Sequence, residues 1–132
     1  DFRKIPNGLP GVEERMDLMF QGVVNGRYTK ERWVEITSTS AARIFGLAGK
    51  KGVVAPGYDA DLVIYDPERK HVLSAETHHM NVDYSCYEGM EVQGGSDIVL
   101  SRGNVIVEDG EWKGQTGAGK ILKREVAREY LR

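Results

Sequence analysis

Gly52-Val-Val-Ala-Pro-Gly-Tyr-Asp-Ala-Asp-Leu-Val-Ile-Tyr-Asp-Pro67 decides how the rest of the chain is read. Pro56-Gly57 suits the centre of a type II turn, because proline presets the first central residue and glycine accepts positive φ at the second. Asp59 and Asp61 lead from the turn into Leu62-Val63-Ile64-Tyr65, a short apolar β run that Asp66-Pro67 is expected to stop. Before this stretch the apolar residues recur at helical spacing, and from Lys51 onward the period is two. The stretch is therefore the seam between a helical part and a sheet part.

Ahead of the seam, Pro10-Gly11-Val12-Glu13-Glu14 reads as a helix start with acids in its first turn, where the helix dipole favours negative charge. Val12, Met16, Met19, Phe20 and Val23 line one apolar face, and Asn25-Gly26 ends the helix with a residue suited to the left-handed cap. Thr29 caps a second helical run with Trp33, Ile36 and Thr37 on one face. Ser38-Thr39-Ser40 interrupts or recaps it before Ala41 to Leu47, which leaves one helix or two open.

Behind the seam, strands are expected at 52–55, 62–66, 70–73, 96–101, 104–108 and 111–113. Arg102-Gly103-Asn104 makes a tight turn, and Asp109-Gly110 is the strongest hairpin signal, since both positions accept the positive φ of a type I′ turn. Residues 74–95 are polar and irregular, long enough for a functional or interface loop. Gly94-Gly95 reads as a turn and Gly117-Ala118-Gly119 as a hinge; neither has a phosphate-cradling glycine pattern. The tail from Ile121 to Arg132 is amphipathic and basic. Helices followed by a few strands neither close a barrel nor cover their own sheet edges, so the chain is expected to be the end of something larger.

Composition narrows the class. Among 132 residues, 18 basic and 20 acidic side chains give a net charge of −2, and the basic ones are scattered, which argues against a nucleic-acid surface. No apolar run approaches the ~20 residues that span a bilayer. The opening Asp1-Phe2-Arg3-Lys4 is not a secretory leader, and the lone Cys86 makes no internal disulfide, so a cytoplasmic location is expected. Cys86 reads as an inert, partly buried thiol, because Ser85 and Tyr87 offer no activating base.

The turn, the acidic pair and the strand at 52–67 resemble the small β-domain of the amidohydrolase superfamily, in its cyclic-amide branch. Ile5-Pro6-Asn7-Gly8 with Pro10-Gly11-Val12-Glu13, and Ser74-Ala75-Glu76-Thr77-His78-His79-Met80, look like dihydropyrimidinase and D-hydantoinase, in the same order over nearly the whole chain. The resemblance implies an α/β parent, a metal-dependent (β/α)8 barrel plus a β-sandwich. This chain would supply the last helices of the barrel, then C-terminal sandwich strands, then a tail. Residues 1–49 would end the barrel and carry a substrate loop, 50–115 would be sandwich strands, and 116–132 an oligomerisation tail lying against another subunit of a homotetramer. The implied activity is hydrolytic opening of 5,6-dihydropyrimidines or hydantoins by a metal-bridging hydroxide. The implied cofactor is zinc, two per site with a carboxylated lysine; the metal ligands and the proton-shuttling aspartate fall outside this sequence. No catalytic or metal residue is therefore assigned here, and the isolated chain is expected to be inactive.

One site residue is carried over. Asn7 matches the family's residue that contacts the amide of the cyclic substrate, largely through main chain. Pro6 stiffens its approach and Gly8 lets backbone come close to a flat ring. His78 and His79 point to opposite faces of an extended chain and so do not chelate one ion. Glu76 with His78 is better spaced, but only Asp83 is near enough to be a third ligand; these residues are read as bonding loop backbone or a neighbouring subunit. Asp59 and Asp61 are read as bonding nearby backbone amides rather than as an acid–base pair. Two alternatives stand beside the enzyme: a non-catalytic dihydropyrimidinase-related interaction protein, and a stand-alone β-domain that binds a partner through 74–95.

Overall fold

The computed structural model describes residue 1 and residues 8–124. Among the described residues, one helix and then a second, continuous helical run precede an antiparallel sheet.

Helix α1 spans Arg15–Val24, with Glu14 as its N-cap residue. Residues 12–14 form a turn rather than the first helical turn, which leaves Val12 84% exposed instead of on the apolar face. The helix ends at Asn25, whose N–H donates to Gln21 O at 2.9 Å, and Gly26, at φ +66°, donates its N–H to Val23 O at 2.9 Å. Helix α2, Lys30–Val34, begins with the expected cap: Thr29 Oγ1 accepts from Arg32 N at 3.3 Å. The Ser38-Thr39-Ser40 interruption takes the form of a π turn over Glu35–Thr39, which runs without a break into α3, Ser40–Ile44. Thr37 donates its hydroxyl to Trp33 O at 2.7 Å, and Thr39 donates to Gly52 O at 2.8 Å.

The second of these bonds explains why 52–55 is not a strand. Gly52 sits at φ +87°, and a Cβ there would lie 2.6 Å from Ala42 Cβ, so this stretch packs as irregular chain against the helical turn. The turn that follows is as expected, with Tyr58 N donating to Ala55 O at 3.2 Å and Gly57 at φ +90°.

The sheet has order β1-β2-β3-β4, from β1 Leu62–Val72, β2 Glu91–Ser101, β3 Asn104–Glu108 and β4 Glu111–Trp112. Arg102 and Gly103, at φ +48° and +80°, join β2 to β3; Asp109 and Gly110, at +50° and +78°, join β3 to β4. Two successive positive φ values are the signature of type I′ hairpins, whose twist matches that of the strands. Asp66-Pro67 does not stop the strand. Asp66 faces Gly95 and Lys70 faces Gln93, so β1 carries extra residues there and continues as one strand. A bulge on an edge strand is where a proline is tolerated, because the ladder bond it lacks is not missed. Glu68 N bonds Asp66 Oδ1 at 2.8 Å and Gln93 Nε2 bonds Pro67 O at 3.0 Å, which fills the gap.

Gly94 and Gly95 lie inside β2 and are not a turn. A Cβ at Gly94 would come within 2.5 Å of Phe20 and 2.6 Å of the Tyr65 hydroxyl, so the missing side chain is what lets the rings onto the strand. Phe20, Trp33 and Tyr65 meet pairwise there with centroids 4.9–5.1 Å apart, inclined rather than stacked. Gln21 completes the junction: its Nε2 donates to Gln93 O at 2.8 Å and its Oε1 accepts from Gln93 N at 3.2 Å. Phe20, Trp33, Ala42, Leu73 and Val92 form the buried core. Elsewhere large apolar side chains face outward, among them Phe45, Val53, Val54, Val63, Ile64 and Val72.

Candidate functional site

The loop between β1 and β2, residues 73–90, is tied to the start of α1 rather than left to solvent. Leu73 N bonds Met90 O and Gly89 N bonds Leu73 O, both at 2.9 Å, which closes its base. From one arm His79 holds Glu13 twice, by its backbone N to Oε2 at 2.6 Å and by ring Nδ1 to Oε1 at 2.7 Å. From the other arm Ser85 donates its hydroxyl to Glu14 Oε1 at 2.5 Å, on a side chain that is 4% exposed.

A second polar cluster lies where α1 crosses the sheet. Asp17 accepts from the Tyr65 hydroxyl at 3.0 Å and stands 3.2 Å from His71 Nε2. Burial pushes the Asp17 carboxyl above the usual carboxylate range, against the pull of the Tyr65 hydroxyl and His71. Burial, with the Asp17 charge beside it, also pushes the Tyr65 phenol up, so Tyr65 serves as a fixed donor and not as a base. Arg69 pairs with Asp97 and donates to Ser96 O at 3.1 Å. The cluster is an internal ion-paired joint between helix and sheet.

The acids of the seam form a third. Lys51 Nζ lies 2.8 Å from Asp59 Oδ2 and also pairs with Asp61 Oδ2, while Asp61 Oδ1 accepts from Arg102 N at 2.7 Å. Partial burial opposes its ionisation, but the Lys51 ammonium and the Arg102 N–H outweigh this and hold the Asp61 carboxyl below its ordinary range. The three side chains border an apolar cleft of about 500 Å³ lined by Val34, Phe45, Leu47, Val53 and Val54. The two aspartates thus meet the Lys51 side chain and the Arg102 amide rather than the nearby backbone amides expected, because the chain brings Arg102, remote in sequence, beside Asp61.

Of the other candidates, Asn7 lies outside the described residues, as does the tail from residue 125. His78 turns inward on its own loop, accepting at Nδ1 from Met80 N at 3.1 Å, and His79 turns the other way to Glu13. Glu76, His78 and Asp83 do not converge, and no group of three or more His, Cys, Asp or Glu able to hold a metal exists among the described residues. Cys86 is exposed and not partly buried, because Ser85 beside it takes the inward position. No helix among the described residues is long and apolar enough to cross a membrane.

This geometry has close counterparts. Residues 9–106 match the sequence profile described as the amidohydrolase family. A D-hydantoinase of Streptomyces coelicolor is 55% identical over 99% of this chain and 28% of its own length, and one of Geobacillus stearothermophilus is 51% identical over 94% and 26%. The crystal structure of a dihydropyrimidinase from Brevibacillus agri superposes with a TM-score of 0.89 at 48% identity, over 94% of this chain and 27% of that one. The chain thus spans about a quarter of the length of the relatives it matches. With the family profile matched over residues 9–106 and the fold superposing over almost the whole chain, this chain belongs to the amidohydrolase family.

Proposed function

We propose that this chain is the C-terminal portion of a metal-dependent cyclic amidase that opens hydantoins or 5,6-dihydropyrimidines by hydrolysis. The observation that carries the reading is identity near one half, over almost every residue, to proteins named D-hydantoinase and to a dihydropyrimidinase structure of the same shape. Residues 1–49 then complete the barrel and bring Asn7 to the substrate's amide group. Residues 50–115 are sandwich strands, and 116–132 an assembly tail in a cytoplasmic homotetramer. The apolar side chains left outward on β1 and around the 500 Å³ cleft fit this reading, since contiguous exposed apolar surface marks where other protein packs.

The residues described here do not form a metal site. The two zinc ions and the carboxylated lysine are assigned, on the resemblance, to the part of the relatives' length that this chain does not span. What this chain contributes is position: a backbone loop for a flat, imide-like ring, whose alternating N–H and C=O groups main-chain atoms can match.

The reading is tested on the complete protein. Its denatured mass is expected to be several times the 14.7 kDa of these residues, and the purified protein is expected to hydrolyse a hydantoin or a dihydropyrimidine. A complete protein of adequate mass, loaded with metal, that opens neither ring overturns it in favour of a non-catalytic relative.

A further inference from the structure

We propose that residues 73–90 form a proton-operated loop, in which His78 accepts the Met80 N–H when neutral and swings to the Glu88 carboxylate when protonated. The neutral arrangement is the one seen. Met80 N donates to His78 Nδ1 at 3.1 Å, so Nδ1 carries no proton and the ring proton sits on Nε2. That second nitrogen is buried and meets no hydrogen-bond partner among the described residues. A buried N–H without a partner is costly, so the ring is only loosely suited to its place even when neutral. A second proton makes the place untenable. Nδ1–H would face the Met80 N–H, and the charge would rest on a ring with one nitrogen sealed from water.

The charged groups around the ring decide where it goes. On the α1 side both acids are taken, Glu13 by His79 and Glu14 by Ser85. Asp83 borders the same hollow as Met80. Glu88 is fixed at the base of the loop, where its Oε2 accepts from Ala75 N at 2.7 Å. The Ala75 N–H, the Ser74 side chain and the charge of His78 hold its carboxyl below the ordinary range. The attraction is mutual, so an ionised Glu88 favours the charged ring. His79 responds in the opposite sense to His78. Its ring Nδ1 and its backbone N both bond Glu13, and a proton on that ring makes the contact an ion pair. Imidazoles change charge between about pH 5 and pH 8, where carboxylates stay ionised. Acid therefore frees the chain at Met80 and keeps it tied at His79. The base of the loop, Leu73 N to Met90 O and Gly89 N to Leu73 O, is backbone alone and does not titrate. The change is thus confined to the arm that carries the exposed residues 81–84. None of this depends on the activity proposed above.

The experiment uses the complete protein and follows hydrogen exchange of the His79 and Met80 amides, each resolved singly, from about pH 8 to about pH 5.5. Each rate is divided by the intrinsic rate at that pH. Met80 protection is expected to fall about five- to tenfold on acidification, as one hydrogen bond is lost, while His79 protection holds or rises. His78→Asn places an Oδ1 near the position of Nδ1 and does not titrate, so its Met80 protection is expected to stay constant across the range. Glu88→Gln keeps an acceptor for Ala75 N without the charge, and is expected to move the Met80 transition about a few tenths of a unit to lower pH. Equal loss of protection at both amides would be general loosening in acid and overturns the proposal. So does a Met80 amide that ignores pH, or a pH response that survives in His78→Asn. An unmoved transition in Glu88→Gln removes Glu88 as the partner and overturns it as well.

Discussion

Gly94→Ala tests whether the core depends on a strip of β2 without side chains. Two costs arise together. Gly94 sits at φ +93°, where an L-residue is strained by roughly 1–2 kcal/mol. The added methyl would also stand 2.5 Å from Phe20 Cδ1 and 2.6 Å from the Tyr65 hydroxyl. Forcing atoms into a packed core adds about 1–3 kcal/mol, and here neither ring can retreat, because each already touches Trp33. Gly110→Ala is the matched control: its φ is +78°, but nothing lies within 4 Å of the new Cβ, so it carries the strain alone. Urea unfolding of the complete protein, followed in this part of the chain by amide hydrogen exchange of β2, is the assay. Gly94→Ala is expected to lower local stability by about 1–3 kcal/mol more than Gly110→Ala. Equal losses would refute the packing argument and leave only backbone conformation.

Tyr65→Phe keeps the ring cluster but leaves Asp17 without its hydroxyl donor, and is expected to cost about 1–2 kcal/mol in the same exchange measurement; a neutral result would mean that the joint does not need the bond. Asp61→Asn tests the seam by pH. Because the Asp61 carboxyl is held below its ordinary range, its contribution is present at neutral pH and is lost as pH falls through the lowered folded-state value. The variant is therefore expected to be less stable by about 1 kcal/mol near pH 7, with the gap closing in acid. A gap that stays constant into acid would show that the Lys51 and Arg102 contacts do not favour the charged form.

What was legible in the sequence was local. Thr29 as a cap, Asn25-Gly26 as a helix end, Pro56-Gly57 as a turn and Asp109-Gly110 as a hairpin each depend on neighbours in the chain, and each is found in place. The misreadings share a cause, which is that a distant partner decided the matter. Asp66-Pro67 stops an isolated strand, but β2 continues opposite it and turns the proline into a bulge. Gly94-Gly95 looks like a turn until Phe20 and Tyr65 are seen to need the space. Gly52 follows a strand-like pattern, yet Thr39 and Ala42 hold it against the helical turn. His79 finds its partner in Glu13, which is far away in the chain, and no spacing rule pairs them. The resemblance to cyclic amidases, resting on short motifs in order, was legible throughout. The site as such was not, because its one candidate, Asn7, rests on the resemblance alone and lies outside the described residues.

The most direct test of the account is the initial rate of hydantoin ring opening, measured for the complete protein and for purified residues 1–132, each before and after treatment with a chelator. The account predicts chelator-sensitive turnover by the complete protein and none by residues 1–132. Chelator-sensitive turnover by residues 1–132 alone would contradict it.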